Sequence, residues 1–296
     1  MTCGAAASLE ITLRALTEEG DEFLTFAPFF PEYRVFAESA GAGFGTVACD
    51  PQDFQPDLSE LKAKLTPHTK GVIVNSPNNP SGAVISPQTA EKLSEVLRDK
   101  SSEYGHPIVL IADEPYRELV YDDVTVPYLM NYYDDTIVCY SYSKSLSLPG
   151  ERIGYIAVSD RMKQEREVYL AICGAGRSLG YVCAPSMMQR VVAKCQGLTS
   201  DVSVYRENRD ILSKALTEYG FHVVRPDGAF YLFVEAPEPD AEAFGEKAKE
   251  FELLLVPSDS FGLTGYVRIS YCVSTEMIKN SLPAFKKLAQ SYGLCE

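Results

Sequence analysis

The chain has 296 residues, 46% hydrophobic and 23% charged, with a formal net charge of −14; this is the balance of a globular protein with a sizeable core, read as one large domain and a smaller one. The acidic excess argues against nucleic acid or an anionic membrane surface as a partner, and neither a signal peptide nor a membrane-length apolar run is expected. Eight cysteines without a Cys-x-x-Cys pair, and three histidines away from them, argue against a metal site; the cysteines, several inside apolar runs such as Cys139 in IVCY and Cys272 in ISYCV, read as reduced, buried thiols of a cytoplasmic protein.

In chain order, Met1-Thr-Cys-Gly4 runs at once into a helical pattern, AAASLEITLRAL (5–16), with too few residues ahead of it for a feeding strand. The chain is therefore expected to be shortened at its N-terminus. Strand-length apolar runs then alternate with helical patterns. They are EFLTF (22–26), helix PEYRVFAESA (31–40), GTVAC (45–49), helix DLSELKAKL (57–65) and GVIVN (71–75), then helix PQTAEKLSEVLRDKSSEYG (87–105), PIVLIAD (107–113), TIVCYS (136–141) and GYIAVS (154–159). Uninterrupted β-branched runs between helices indicate strands covered on both faces, hence a mostly parallel sheet in an α/β domain. Thr199 to Tyr219 reads as a linking helix, followed by short strands FHVVR (221–225), AFYLFVE (229–235), ELLLVP (252–257) and YVRISYCV (266–273) with closing helices. The large domain is placed at 1–197 and a smaller α+β C-terminal domain, with the linking helix, at 198–296.

In an open parallel sheet, ligands bind beyond the carboxyl ends of the strands. GVIV is followed by Asn75-Ser-Pro-Asn-Asn79-Pro-Ser-Gly82, PIVLIA by Asp113-Glu-Pro-Tyr116, and TIVCY by Ser141-Tyr-Ser-Lys144. At the chain start, Gly4, Ala5 and Ala6 open a helix with no side chain large enough to block its free N–H groups. An amide, a carboxylate, a phenol, a lysine and a bare helix N-terminus are thus expected on one rim. The helix N-terminus suits a phosphate dianion. A buried carboxylate can keep a pyridine nitrogen protonated, an amide and a phenol can hydrogen-bond a phenolate oxygen, and a desolvated lysine with a lowered pKa can condense with an aldehyde. Pyridoxal 5'-phosphate carries all four features on one ring.

With NSPNNPSG, IADEPY, SYSK followed eight residues later by Arg152, and YVRIS in this order, the sequence resembles the class I/II (aspartate/aromatic-type) aminotransferases, pyridoxal-phosphate-dependent enzymes of fold type I, over essentially its whole length. The resemblance implies that Lys144 is the Schiff-base lysine and general base, that Asp113 partners the pyridine nitrogen, and that Asn79 and Tyr116 bind the cofactor's phenolic oxygen. It assigns Ser141 and Arg152, with the backbone of Gly4, Ala5 and Ala6, to the phosphate. It assigns Arg268 to the substrate α-carboxylate, a task suited to a planar guanidinium, with Asn79 beside it and Asn75 as part of the site wall. Many relatives stack tryptophan on the ring; this chain has none, and Phe30 falls in that place. Ser141-x-x-Lys144 also matches the serine–lysine pair of penicillin-binding proteins, but the companion Ser-Asp-Asn and Lys-Thr-Gly motifs are absent.

The implied activity is transfer of an amino group between an L-amino acid and a 2-oxo acid by a ping-pong mechanism, in a cytoplasmic homodimer. Two alternatives share the same motifs: a β-lyase on the same cofactor, and a catalytically incomplete fragment, since relatives carry a stretch ahead of the phosphate loop that supplies part of the small domain and a residue reaching the neighbouring subunit's cofactor.

Overall fold

The computed structural model describes residues 1–296. Strands β1 (Glu22–Phe26), β2 (Gly43–Val47), β3 (Thr69–Asn75), β4 (Val109–Asp113), β5 (Thr136–Ser141) and β6 (Gly154–Val158) form one sheet in the order β2-β1-β3-β4-β5-β6. The first five are parallel, and β6 runs antiparallel to β5. Helices α1 (Ala5–Leu16), α2 (Glu32–Ala40), α3 (Leu58–Lys64) and α4 (Pro87–Tyr104) lie where the periodicity places them. The local chemistry sets their ends. Asp57 accepts from the N–H groups of Ser59 and Glu60 to start α3. Ser86 caps α4 with Pro87 in its first turn, and Gly105, at φ 77°, closes it.

Alternate strand residues leave the sheet on opposite faces. Phe23, Ile73, Ile111 and Ile137 join Leu9 and Leu13 of α1 and Tyr33 of α2 in one core, while Leu24, Val72, Leu110 and Val138 join Leu61 of α3 and Leu93 and Leu97 of α4 in another. This two-sided cover is why β4 and β5 are buried along their whole length. A short helix, α5 (Tyr142–Ser145), follows β5 directly, and α6 (Glu165–Ser178) and α7 (Ser186–Lys194), which the sequence reading did not single out, complete the first 197 residues.

Helix α8 (Ser203–Glu218) leads to an antiparallel sheet of β7 (Val223–Val224), β8 (Tyr231–Glu235), β9 (Val256–Pro257) and β10 (Tyr266–Ser270), in the order β7-β8-β10-β9, with α9 (Ala241–Lys249) and α10 (Thr275–Ser291). All four strands are shorter than their patterns predict, FHVVR pairing only at Val223 and Val224 and AFYLFVE only from Tyr231. In ELLLVP only Val256 and Pro257 pair, because Glu252 turns the chain at φ 63° and the run lies along the foot of α9, with Leu253 and Leu255 buried and Leu254 82% exposed. YVRISYCV stops pairing at Ser270; beyond it Tyr271 turns inward and Cys272 outward. The expectation of buried thiols is corrected with it: all eight cysteines are free, but only Cys139 is buried.

The segment after β4 crosses to the second sheet. Tyr116, Leu119 and Tyr121 enter that sheet's core. Arg209 of α8, wholly buried, donates to Asp122 at 2.8 Å and to the Pro226 carbonyl at 3.2 Å. The residues that follow Asp113 are thereby fastened to the strand pair that carries Tyr231 and Arg268.

Candidate active site

The carboxyl ends of β3, β4 and β5, the first turn of α1 and one face of β8 and β10 enclose a cavity of about 350 Å³. Its walls include Ala5, Ala6, Phe30, Asn75, Asn79, Asp113, Tyr116, Ser141, Lys144, Arg152 and Arg268, so the candidates drawn from the sequence converge there. Gly4 stands just behind the wall as the N-cap of α1.

Asn75 and Asp113 are register partners at the ends of β3 and β4. The Asn75 amide donates to the Asp113 carbonyl at 2.9 Å and reaches its Oδ2 at 3.4 Å. The Tyr33 hydroxyl donates to the same Oδ2 at 2.5 Å. Asp113 Oδ1 is buried and has no partner. Burial pushes this carboxyl up to about 7, against the lowering effect of the Tyr33 hydrogen bond. A carboxylate with one oxygen fixed and the other unpaired, in a residue that lines the cavity, has a place for a cationic N–H, which would restore its charge.

Ser141 ends β5 and caps α5, so the turn that carries Lys144 starts at the strand end itself. Ser200 fastens that turn from outside, its hydroxyl donating to the Lys144 carbonyl at 3.1 Å. The Lys144 ammonium lies 5.1 Å from the centre of the Phe230 ring and 6.0 Å from that of Tyr116. Burial lowers its pKa; Arg152 and Arg268 act in the same direction and Cys272 opposes them. These surroundings favour the neutral form of Lys144 more than water does, and the neutral amine is the nucleophile or base.

At the α1 end, Gly4 makes no side-chain cap, so the first N–H groups remain open. Gly4 has φ 94°, and a Cβ on it would lie 2.8 Å from Arg152 Nη2. Ser141 and Ser143 hydroxyls are 2.7 Å apart, and Arg152 Nη1 donates to Ser143 at 3.5 Å. Two hydroxyls, a guanidinium and an open helix end form a cradle for a phosphate-sized dianion.

Opposite, Arg268 Nη1 donates to Asn79 Oδ1 at 2.8 Å, which turns the Asn79 amide nitrogen into the remaining donor. The Asn79 N–H in turn donates to Asn75 Oδ1 at 2.7 Å. Arg268 Nε is buried without a partner, and its guanidinium lies 4.7 Å from the Tyr231 ring centre and 4.9 Å from that of Phe261. The sequence reading missed Tyr33, Ser143 and Tyr231. Ser143 was legible as one of the serines beside Lys144. Tyr33 and Tyr231 carried no local signal, because their importance lies in partners 80 and 115 residues away.

The family model for aminotransferase class I and II matches residues 1–285. The chain is 31% identical to a probable aspartate aminotransferase of Methanocaldococcus jannaschii over 97% of this chain and 76% of that protein. It is 29% identical to the aspartate/prephenate aminotransferase of Thermus thermophilus over 97% and 74%. Among solved structures, an amino transferase of Eubacterium rectale superposes with a TM-score of 0.97 at 58% identity, over 99% of this chain and 74% of that one. The aspartate aminotransferase of Thermotoga maritima superposes with a TM-score of 0.87 at 28% identity, over 98% and 75%. Each of these relatives is named for amino-group transfer and none for a lyase. The chain belongs to the class I and II aminotransferases, enzymes of fold type I that work with pyridoxal phosphate.

Proposed function

We propose that the cavity holds pyridoxal 5'-phosphate and serves transfer of an amino group between an L-amino acid and a 2-oxo acid. The observation that carries this reading is the buried, unpartnered Oδ1 of Asp113 beside an oxygen already held by Tyr33, in a residue that lines the cavity together with Lys144. In this reading the first turn of α1 (Gly4, Ala5, Ala6) with Ser141, Ser143 and Arg152 holds the phosphate, Phe30 covers the ring, and Asn79 and Tyr116 hydrogen-bond its oxygen. Phe30 gives a stacking face with no donor.

When bound, the cofactor supplies an aldehyde for the amino group and a ring that takes up the electrons released at the substrate Cα. The chain's own groups do the rest. Asp113 keeps the proton on the ring nitrogen. Lys144, whose pKa burial lowers, would take the Cα proton and return it to the carbon that had been the cofactor's aldehyde, across the nitrogen from Cα. Arg268 binds the α-carboxylate through a guanidinium held on one side by Asn79 and on its faces by Tyr231 and Phe261. The relatives' names include aspartate and aromatic amino acids, so acidic and aromatic donors are the first to test.

The same reading includes the division into domains at 1–197 and 198–296, and a homodimer. Exposed Tyr169, Leu170, Val182, Met187, Val191 and Leu198 leave an apolar stretch between α6 and the chain after α7 that a second copy would cover. No helix is long and apolar enough to cross a membrane; a cytoplasmic setting rests on eight free cysteines.

The test is the visible spectrum of the purified protein with added pyridoxal phosphate, followed by borohydride reduction and peptide mapping. A pyridoxyl group on Lys144, absent in Lys144→Ala, supports the assignment; a group elsewhere, or none, overturns it.

A further inference from the structure

We propose that Tyr231 is a positioning residue of this site, acting on Tyr116 through its hydroxyl and on Arg268 through its ring; the proposal rests on the cofactor reading above. Tyr231 begins β8, where Ser270 is its register partner and Arg268 pairs with Phe233. Tyr231 and Arg268 are therefore diagonal neighbours on one face of the antiparallel pair, a separation that an aromatic ring and a guanidinium can span. The Arg268 Cζ lies 4.7 Å from the ring centre. The other end of the same side chain reaches the Tyr116 hydroxyl, oxygen to oxygen, at 3.0 Å.

That one hydrogen bond has two possible directions, and only one suits the site. If Tyr116 donates to Tyr231, Tyr116 has no proton left for a ligand and presents only lone pairs to the cavity. If Tyr231 donates to Tyr116, the Tyr116 proton is free to point inward, and the accepted bond polarises it into a stronger donor. An anionic ring oxygen in the cavity selects the second direction. Both hydroxyls are buried, and burial holds both phenols protonated, raising the pKa of each. The ring of Tyr116 is held edge-on by Phe230 and Tyr231, 5.6 Å and 5.8 Å between centroids, so its hydroxyl has little freedom to seek another partner. One side chain thus sets both the donor strength of Tyr116 and the plane of Arg268, and ties the carboxylate end of the site to the ring-oxygen end.

The test compares wild type, Tyr231→Phe, Tyr116→Phe and the double variant, each loaded with pyridoxal phosphate, by the pH midpoint of the visible absorption change. Tyr231→Phe keeps the ring on Arg268 and removes only the hydroxyl. The midpoint should rise by roughly half a pH unit, because a weaker donor stabilises the anionic oxygen less. On the Tyr116→Phe background the same substitution should add nothing, since its effect passes through Tyr116. Tyr231→Leu, which removes the ring, should raise KM for the amino acid about tenfold, more than it lowers kcat. A wild-type midpoint in Tyr231→Phe, or equal shifts on both backgrounds, overturns the role assigned to the hydroxyl. Wild-type protein that takes up no pyridoxal phosphate overturns the cofactor reading and this role with it, a result distinct from uptake with an unmoved midpoint.

Discussion

Arg268 and Asn79, 189 residues apart in the chain, meet in a hydrogen bond of 2.8 Å from guanidinium to amide oxygen. Through Asn75 the link continues to Asp113, so the end of the cavity suited to a carboxylate and the end suited to a ring nitrogen share one hydrogen-bonded path across two sheets.

Arg268→Lys keeps the charge and loses the fork. Lysine cannot hold Asn79 and a substrate carboxylate in one plane. A charge-assisted bond contributes about 1.5–3 kcal/mol, so kcat/KM should fall roughly ten- to a hundredfold, mostly through KM. Steady-state kinetics with the best donor check this; unchanged KM would remove Arg268 from carboxylate binding.

Asp113→Asn tests the buried carboxyl in the cofactor-free protein. Burial raises its folded pKa to about 7, well above the ordinary carboxyl value of 3.8. The folded state therefore binds this proton more tightly than the unfolded state, and stability contributed by the group falls as pH rises from about 4 to 7. Asparagine has no such dependence. The variant should gain stability relative to wild type between pH 5 and pH 8, read as a widening difference in Tm; a constant difference would refute the raised pKa. With pyridoxal phosphate the order should reverse, the wild type being stabilised more strongly because only the carboxylate pairs with a cationic ring nitrogen.

Tyr33→Phe removes the 2.5 Å donor to Asp113. A buried acceptor left unmatched costs about 1–3 kcal/mol. The cofactor-free protein should melt several degrees lower at pH 8, with a smaller loss at pH 5, where Asp113 is protonated and its oxygen accepts more weakly. Equal losses at both pH values would show that Tyr33 acts by packing alone.

Gly4→Ala places a Cβ at φ 94° and 2.8 Å from Arg152 Nη2. With ψ 173° this is an extended positive-φ conformation that essentially only glycine adopts, costing another residue roughly 1–3 kcal/mol, and Arg152 must shift. The Kd for pyridoxal phosphate should rise about tenfold, measured by absorbance titration. Unchanged affinity would separate Gly4 and Arg152 from the phosphate cradle.

The parallel sheet, the strand ends and the rim that carries Asn75, Asp113, Tyr116, Ser141 and Lys144 follow from the sequence alone. Apolar runs of strand length between helical periods leave few alternatives, and a parallel sheet puts all its carboxyl ends on one side. The bare start of α1 at Gly4 was equally legible, because small residues at a helix N-terminus are a local property. The groups that tune the site were not. Tyr33 owes its importance to Asp113, and Tyr231 to Tyr116 and Arg268; each looks like ordinary core until the chain is folded. The exposure of Cys272 likewise depends on β10 ending at Ser270, which the apolar pattern could not show. Short-range chemistry lays out the elements and the residues at their ends; long-range packing decides which hydroxyl meets which carboxylate, because those bonds join segments whose sequences carry no trace of one another.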